Sequence, residues 1–446
     1  MTKDLTRGTP WKLILQFALP IMAGNLLQQL YNTADTIIVG NFESQTALEA
    51  VGACASLTIL FTALAIGFSI GAGVLISQFF GAGRLDELRR YASSAIVLML
   101  LMGLLMSALG LASARLLLGS FLGTPESLLA LSTLYFRIYA AGLVFQFGYN
   151  IVAALLRALG DSKATLYFLL VSSVMNVILD LLFVAGLHMG VAGAAIATVL
   201  SQIASCVIGF AYMYRKYDLL RFSARELRMD PHIAGRILAV GAPMAIQQSI
   251  VSCGFLFLQR LVNGYGESMI ASYTVASRME NILMIPIIGI QNTMATYAGQ
   301  NMGAQRPDRV SKGLGQGVLA SALMTCALCL CQIAGISLII GAFRLDEAAA
   351  AICRQHLLSS ALAMPIFAVY FPANGMFQGV GEGFHSTFYA LLALGLRVVF
   401  AYSLHQTAAF GYTSIWWSQA MAWTITLLVC YAHFFRGKWK QTSLIS

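Results

Sequence analysis

Charge is what this chain has least of. Its 446 residues include 27 Lys or Arg and 18 Asp or Glu, together 10%, where a soluble domain carries about 25%. That scarcity, beside 59% apolar residues, excludes a soluble enzyme and a disordered chain. The start, Met1-Thr-Lys-Asp-Leu-Thr-Arg7, has neither the short apolar core nor the small-residue cleavage site of a signal peptide, so the first apolar block is expected to stay as a helix. Eight cysteines lie nearly all inside apolar blocks, which excludes a disulfide-built secreted module. Cys326, Cys329 and Cys331 have a metal-like spacing but no histidine nearby, and read as packing cysteines. The six histidines lie mostly near loops and show no ligand spacing, and no Ser/His/Asp or Cys/His arrangement stands out. Gly71-Ala-Gly73 lacks the third glycine and the strand–turn–helix setting of a dinucleotide loop. No enzyme is expected.

Long apolar blocks are what the chain does have. A spanning helix needs about 20 apolar residues. Blocks of that kind fall near 11–40, 47–80, 91–113, 127–157, 163–186 and 190–214. After a polar stretch come six more, near 237–263, 269–302, 313–342, 348–378, 386–406 and 411–435. The expectation is an all-α polytopic membrane protein with 12 transmembrane helices. Residues 1–214 would form an N-terminal six-helix lobe, 215–236 a cytoplasmic linker and 237–446 a C-terminal six-helix lobe. An even number of spans puts both termini on one side. Segments on that side, with Arg84, Arg89, Arg90, Arg215, Lys216, Arg436 and Lys438 among them, hold 20 of the 27 basic residues, whereas the opposite loops hold Arg115, Arg344 and Arg354. The positive-inside rule then places both termini in the cytoplasm. It also accounts for the net charge of +9 without nucleic acid.

The halves align on each other at a shift of about 222 residues. Gln78-Phe-Phe-Gly81-Ala82-Gly-Arg84-Leu-Asp86 matches Gln300-Asn-Met-Gly303-Ala304-Gln-Arg306-Pro-Asp308. Pro20 answers Pro243, Gly160-Asp161 answers Gly381-Glu382, and Gly190 answers Gly411. Six is even, so both halves enter the membrane from one side, a parallel repeat of the kind found in transporters. Pro20, Pro243, Pro286, Pro365 and Pro372 fall inside helices, where each removes a backbone hydrogen bond and permits a kink. At Pro20, 15 residues before Asp35, both a static kink and a bending helix stay open.

Of the 18 acids, Asp35, Asp180 and Glu280 lie well inside apolar blocks. An acid at the bilayer centre costs at least about 2.5–3.5 kcal/mol on the insertion scale, so each needs a partner or a wet cavity. At 1.5 Å per residue, Asp35 lies about 27 Å along helix 1 from Phe17 and Asp180 about 21 Å along helix 5 from Leu166. Thr198 lies about 12 Å along helix 6 from Gly190, at a similar depth in the outer half. Asn176 precedes Asp180 by one turn and shares its face. Two carboxylates, a carboxamide and a hydroxyl form a hard, oxygen-only set suited to Na⁺ or a proton. The repeat maps Asp35 onto Leu258, Asp180 onto Ala401 and Asn176 onto Arg397. A fixed guanidinium repels a bound cation, so cation coupling is expected in the N-terminal lobe alone. Arg397 needs an anion. Glu280, about 15 Å into helix 8 against about 16 Å into helix 11 for Arg397, is the expected partner in a buried ion pair.

Ala18-Leu-Pro20 followed by Asn32-Thr-Ala-Asp35-Thr-Ile-Ile-Val-Gly40 resembles the first helix of multidrug and toxic compound extrusion (MATE) transporters. So do Gln78-x-x-Gly-Ala-Gly, Leu156-Arg-Ala-Leu-Gly160-Asp-Ser-Lys, Asn176-Val-Ile-Leu-Asp180 and Gly190-Val-x-Gly193-Ala-Ala. The resemblance covers both halves. It implies two pseudo-symmetric six-helix lobes in a V shape and export of drugs or metabolites in exchange for Na⁺ or H⁺. The seventh helix, Leu238–Gly264, has no acid and neither has the interior of the tenth, Ala348–Gln378, which resembles the DinF-like branch rather than the NorM-like one. The resemblance puts Asp35, Asn176, Asp180 and Thr198 on the cation site, and Tyr31, Tyr135 and Asn150 on polar positions lining the same cavity.

The expected function is therefore a cation-coupled antiporter in the cell (inner) membrane that exports organic, lipophilic or cationic compounds by alternating access. No cofactor is expected beyond the coupling ion, which Asn176 and Thr198 tip toward Na⁺ because hard cations take several oxygen ligands. Expected partners are small organic substrates and membrane lipids, with the protein as a monomer. The rival within transport is a lipid-intermediate or polysaccharide flippase, whose relatives commonly have extra helices and a cationic cavity. The rival from another class, a membrane-embedded enzyme, would need a catalytic pair that the sequence does not supply.

Overall fold

Glycine and short polar side chains set the helix ends. The computed structural model describes residues 4–42, 45–223, 225–442 and 444–445; within its helices it leaves out the side chains of Asn32, Asp35, Thr36, Ile37, Val39, Asn41 and residues 252–257. Among the described residues every element is helical. The long ones are α1 (Pro10–Phe42), α2 (Gln45–Gly81), α3 (Leu85–Leu116), α4 (Glu126–Ala141), α5 (Leu143–Ala158), α6 (Ser162–Asp180) and α7 (Gly190–Lys216). They continue with α8 (Pro231–Asn263), α9 (Glu267–Gly303), α10 (Pro307–Ala342), α11 (Glu347–Val380), α12 (Gly383–Leu404) and α13 (Ser414–Arg436). Asp161 caps α6 by accepting the amide of Ala164, and Asp346 caps α11 by accepting that of Ala349. Gly381, at φ +101°, closes α11 in a left-handed conformation that glycine adopts without strain.

α4 and α5 make one span bent by 44° at Gly142. No proline is involved. A Cβ on Gly142 would stand 2.7 Å from Val199 Cγ2 on α7, so the absence of a side chain lets α7 pack against the bend. Nine other helices among the described residues are long and apolar enough to cross a membrane, and α8 and α13, of 33 and 23 residues, complete twelve spans. α3 and α10 turn leucines outward (Leu104 58% exposed, Leu338 79%). Toward lipid such exposure carries no hydrophobic penalty. All five prolines expected inside helices are there: Pro20 in α1, Pro243 in α8, Pro286 in α9, Pro365 and Pro372 in α11.

The described chain forms two compact units that exchange half-helices. One holds residues 23–249, the other 4–22 with 250–445. The first half of α8 therefore belongs with α2–α7, and the first half of α1 with α9–α13. Glycine makes both exchanges close. Cβ atoms on Gly67 and Gly71 would stand 2.2 and 2.3 Å from the backbones of Ala245 and Gly241 on α8, a small-xxx-small approach. In the other unit Gly289, the repeat counterpart of Gly67, receives Met22 of α1 with a Cβ-to-Cγ distance of 2.4 Å.

The segments leading into α1 and α8 are fastened in the same way. Arg309 donates to the carbonyls of Leu5 and Gly8, and Asn301 to that of Leu5. In the first unit Arg89 donates to the carbonyls of Asp218, Leu219 and Arg221 and pairs with Glu226 at 2.8 Å. The backbone amide of Ser223, then Arg89, then the Ser223 hydroxyl hold the Glu226 carboxyl down at about 2. Residues of the expected cytoplasmic linker are thus tied to α3.

Candidate cation and transport site

The N-terminal unit buries an amide and an acid on α6. Asn176 and Asp180 lie one turn apart on α6, 1% and 0% exposed, and a wide π-type turn, Leu181–Gly186, follows Asp180 directly. Both side-chain atoms of Asn176 lack a hydrogen-bond partner among the described residues. Leaving a buried polar group unsatisfied costs about 1–3 kcal/mol, so a position like this asks for a ligand. Thr198 on α7 donates its hydroxyl to the carbonyl of Ala194 at 3.0 Å. With its proton spent there, it presents only lone pairs, as a cation ligand must. The side chain of Asp35 lies outside the described residues. The donors that are described, an amide oxygen, a carboxylate and a proton-spent hydroxyl, fit a hard cation.

The remaining expected residues divide. Tyr135 is buried, 8% exposed, in an apolar cluster with Ile38, Cys54, Val184 and Ala194 that surrounds this part of α6 and α7. Asn150 donates to the carbonyl of Gln146 on its own helix at 2.9 Å. Tyr31 lines a nearly apolar groove of about 300 Å³ with Leu27, Leu30, Leu170 and Val174; neither Asn176 nor Asp180 lines that groove. A network missed in the sequence lies nearby. Gln146 donates to Thr62 at 2.8 Å, Tyr139 donates to Gln146 at 3.2 Å, and the Thr62 and Tyr139 hydroxyls meet at 3.1 Å. Each of these is common in apolar helices, and no spacing marked them.

In the C-terminal unit the expected ion pair takes a different form. No nitrogen–oxygen contact within 4 Å joins Glu280 to Arg397 among the described residues. Glu280 is held by His356 Nε2 at 3.1 Å, and Arg397, 9% exposed, acts on it through space. His356, 2% exposed in mid-α11, stacks between Trp416 at 4.7 Å and Tyr273 at 5.7 Å. His356 is an exception to histidines that lie mostly near loops, and one imidazole in an apolar helix gives no pattern to read. Leu258 and Ala401, the counterparts of Asp35 and Asp180, pack in one fully buried apolar cluster with Trp416.

Two six-span repeats with polar side chains buried among apolar helices are the architecture of a membrane transporter. The MatE family model matches residues 20–182 and 243–403, one stretch in each repeat, and the chain belongs to that family. It is a transporter and not an enzyme. It is 28% identical over 447 residues to the probable multidrug resistance protein YpnP of Bacillus subtilis (strain 168), covering 99% of both chains. It is 24% identical over 429 residues to the multidrug export protein MepA of Staphylococcus aureus (strain N315), covering 94% of this chain and 92% of that one. Its fold superposes with a TM-score of 0.92, at 24% identity over 99% of both chains, on a multidrug resistance MATE family transporter of the MOP superfamily in an outward-facing conformation.

Proposed function

We propose that the chain exports organic, drug-like compounds from the cytoplasm as a monomer in the plasma membrane, with both termini inside. Export is driven by cation entry through the N-terminal unit. The names of its relatives as multidrug resistance and export proteins support the substrate class. The observation that carries the coupling site is the buried, unpartnered amide of Asn176 one turn from a fully buried Asp180. The repeat supports the place of Asp35, since its counterpart Leu258 packs with the counterpart of Asp180. The cation would rest on Asp35, Asn176, Asp180 and Thr198 and would supply the positive charge that lets two carboxylates share one apolar site. Two neutral oxygens beside the acids favour Na⁺ over H⁺. Binding biases the chain toward one face and release toward the other, and substrate rides the return.

Efflux from proteoliposomes under separately imposed Na⁺ and pH gradients tests this. Asp35→Asn and Asp180→Asn are each expected to abolish coupled efflux while insertion stays intact. Thr198→Ala is expected to weaken apparent Na⁺ affinity and to leave a proton-driven rate unchanged. Wild-type efflux by Asp180→Asn would remove the N-terminal unit from coupling.

A further inference from the structure

The repeat supplies its own control for a second cluster, at the end of the C-terminal unit where α12 begins and α13 ends. In the N-terminal unit Asp161 caps α6 and is closed by internal donors: Tyr217 at 2.6 Å, Tyr212 at 2.9 Å and Lys216 at 2.9 Å. The offset that carries Gly160-Asp161 onto Gly381-Glu382 carries Tyr212 onto His433, Lys216 onto Gly437 and Ala164 onto His385. The C-terminal unit keeps the buried acid, with the Glu382 side chain 9% exposed. It loses both tyrosines, Tyr217 falling on Lys438, has a glycine where Lys216 stood, and gains two imidazoles.

Those groups do not satisfy one another. His385 Nδ1 stands 3.6 Å and His433 Nε2 3.5 Å from Glu382 Oε2, and that oxygen is buried without a hydrogen-bond partner. All three donor atoms lie within 4.8 Å of one another. Around a four-coordinate ion with bonds of about 2.0–2.2 Å, neighbouring ligand atoms stand about 3.3–3.6 Å apart. The two separations from Glu382 Oε2 are those of coordination edges.

Supporting contacts aim two of the ligands. Thr442 donates its hydroxyl to Glu382 Oε1 at 3.1 Å, which leaves Oε2 to turn inward. The Tyr389 hydroxyl meets His433 Nδ1. In the tautomer that donates from Nδ1 to Tyr389, the lone pair of Nε2 is free for a metal, the usual second partner of a ligating histidine.

The geometry points to a divalent transition-metal site formed by Glu382, His385 and His433, with Zn²⁺ as the ion its two imidazoles and one carboxylate suit best. The half-exposed ring of His385 keeps one side open, and Arg436 and Lys438 act electrostatically on His433. Both features make the ion exchangeable rather than permanent. A bound ion ties the start of α12 to the end of α13 and, through Thr442, to the C-terminal segment.

The test is Zn²⁺ competition against a chromophoric chelator, using the full chain in detergent with Cys326 and Cys331 changed to Ser so that exposed thiols do not contribute. One equivalent is expected to bind and to raise the unfolding temperature. His385→Ala, on an exposed ring, and Glu382→Gln, which keeps the acceptor for Thr442, are each expected to weaken binding by at least about 10-fold and to erase the thermal shift. His232→Ala is the matched control and is expected to change neither. No uptake by the parent protein, or equal uptake by both ligand variants, overturns the site.

Discussion

At Asp161 one side chain serves as helix cap, ion-pair partner and hydrogen-bond acceptor. Burial alone would raise its carboxyl. The hydrogen bonds from Tyr217, Lys216, Tyr212 and the Ala164 amide outweigh that and hold it below the ordinary carboxylate range. A group depressed in the folded state adds stability that is present above its unfolded pKa of about 4 and is lost as the pH falls through the folded value. Asp161→Asn is therefore expected to cost roughly 1.5–3 kcal/mol at neutral pH, the range for hydrogen bonds to a charged group. The gap between wild type and variant should close on acidification below about pH 4. Thermal unfolding in detergent across that range measures it, and a gap that stays constant with pH would show that the charge of Asp161 contributes nothing. The sequence makes Asp180 and Glu280 legible because an acid in an apolar block is conspicuous. It marks Asp161 and Glu382 only as repeat counterparts and leaves His356 unmarked, because the partners Tyr212, Lys216 and Tyr217 of Asp161, His433 of Glu382 and Glu280 of His356 lie more than fifty residues away.

Twelve spans and five helical prolines are readable from hydropathy because the bilayer imposes one length and one composition on every crossing. The break at Gly142 is not, since a lone glycine between apolar residues gives no stop signal and its cause is Val199 on another helix. The exchanged halves of α1 and α8 escape the sequence for a related reason. A run of small residues announces close approach without naming the helix that approaches. Gly67–Gly73 reads as a packing surface, and the structure supplies the partner in Gly241 and Ala245. Gly71→Leu would drive a side chain into backbone 2.3 Å from its Cβ. No rotamer relieves a clash at Cβ, so α8 must move, at a cost of about 1–3 kcal/mol or more. Gly315→Ala in α10, where a Cβ meets nothing within 4 Å, is expected to be neutral or to stabilise by about 0.4–1 kcal/mol. Unfolding temperatures of the two variants, measured side by side, separate close approach from helix propensity. Equal effects would mean that the α2–α8 contact tolerates a side chain.

Across the whole molecule the asymmetry of charge sets how the chain lies in a membrane. The fastened segments before α1 and α8 carry Arg7, Arg221, Arg225 and Arg228, and Arg89 on α3, Arg306 before α10 and Arg309 on α10 hold them. Arg436, Lys438 and Lys440 close the chain beyond α13. Arg89, Arg306 and Arg309, which clamp these segments, are also among the basic residues expected on the cytoplasmic side. Moving one charge-bearing end of a span across the bilayer exposes Arg or Lys to a cost of about 2.5–3.5 kcal/mol each at the centre, and the loops on the opposite side, with Arg115, Arg344 and Arg354, offer little to offset it. Both termini are therefore expected on the cytoplasmic side. A cysteine in a tag appended after Ser446, in a background without Cys326 and Cys331, checks this with a membrane-impermeant thiol reagent. Labelling should require permeabilised cells, and the same reagent should reach a cysteine placed at Arg344 in intact ones. Labelling of the tag in intact cells would invert the chain, and with it the side from which the proposed coupling cation would have to enter.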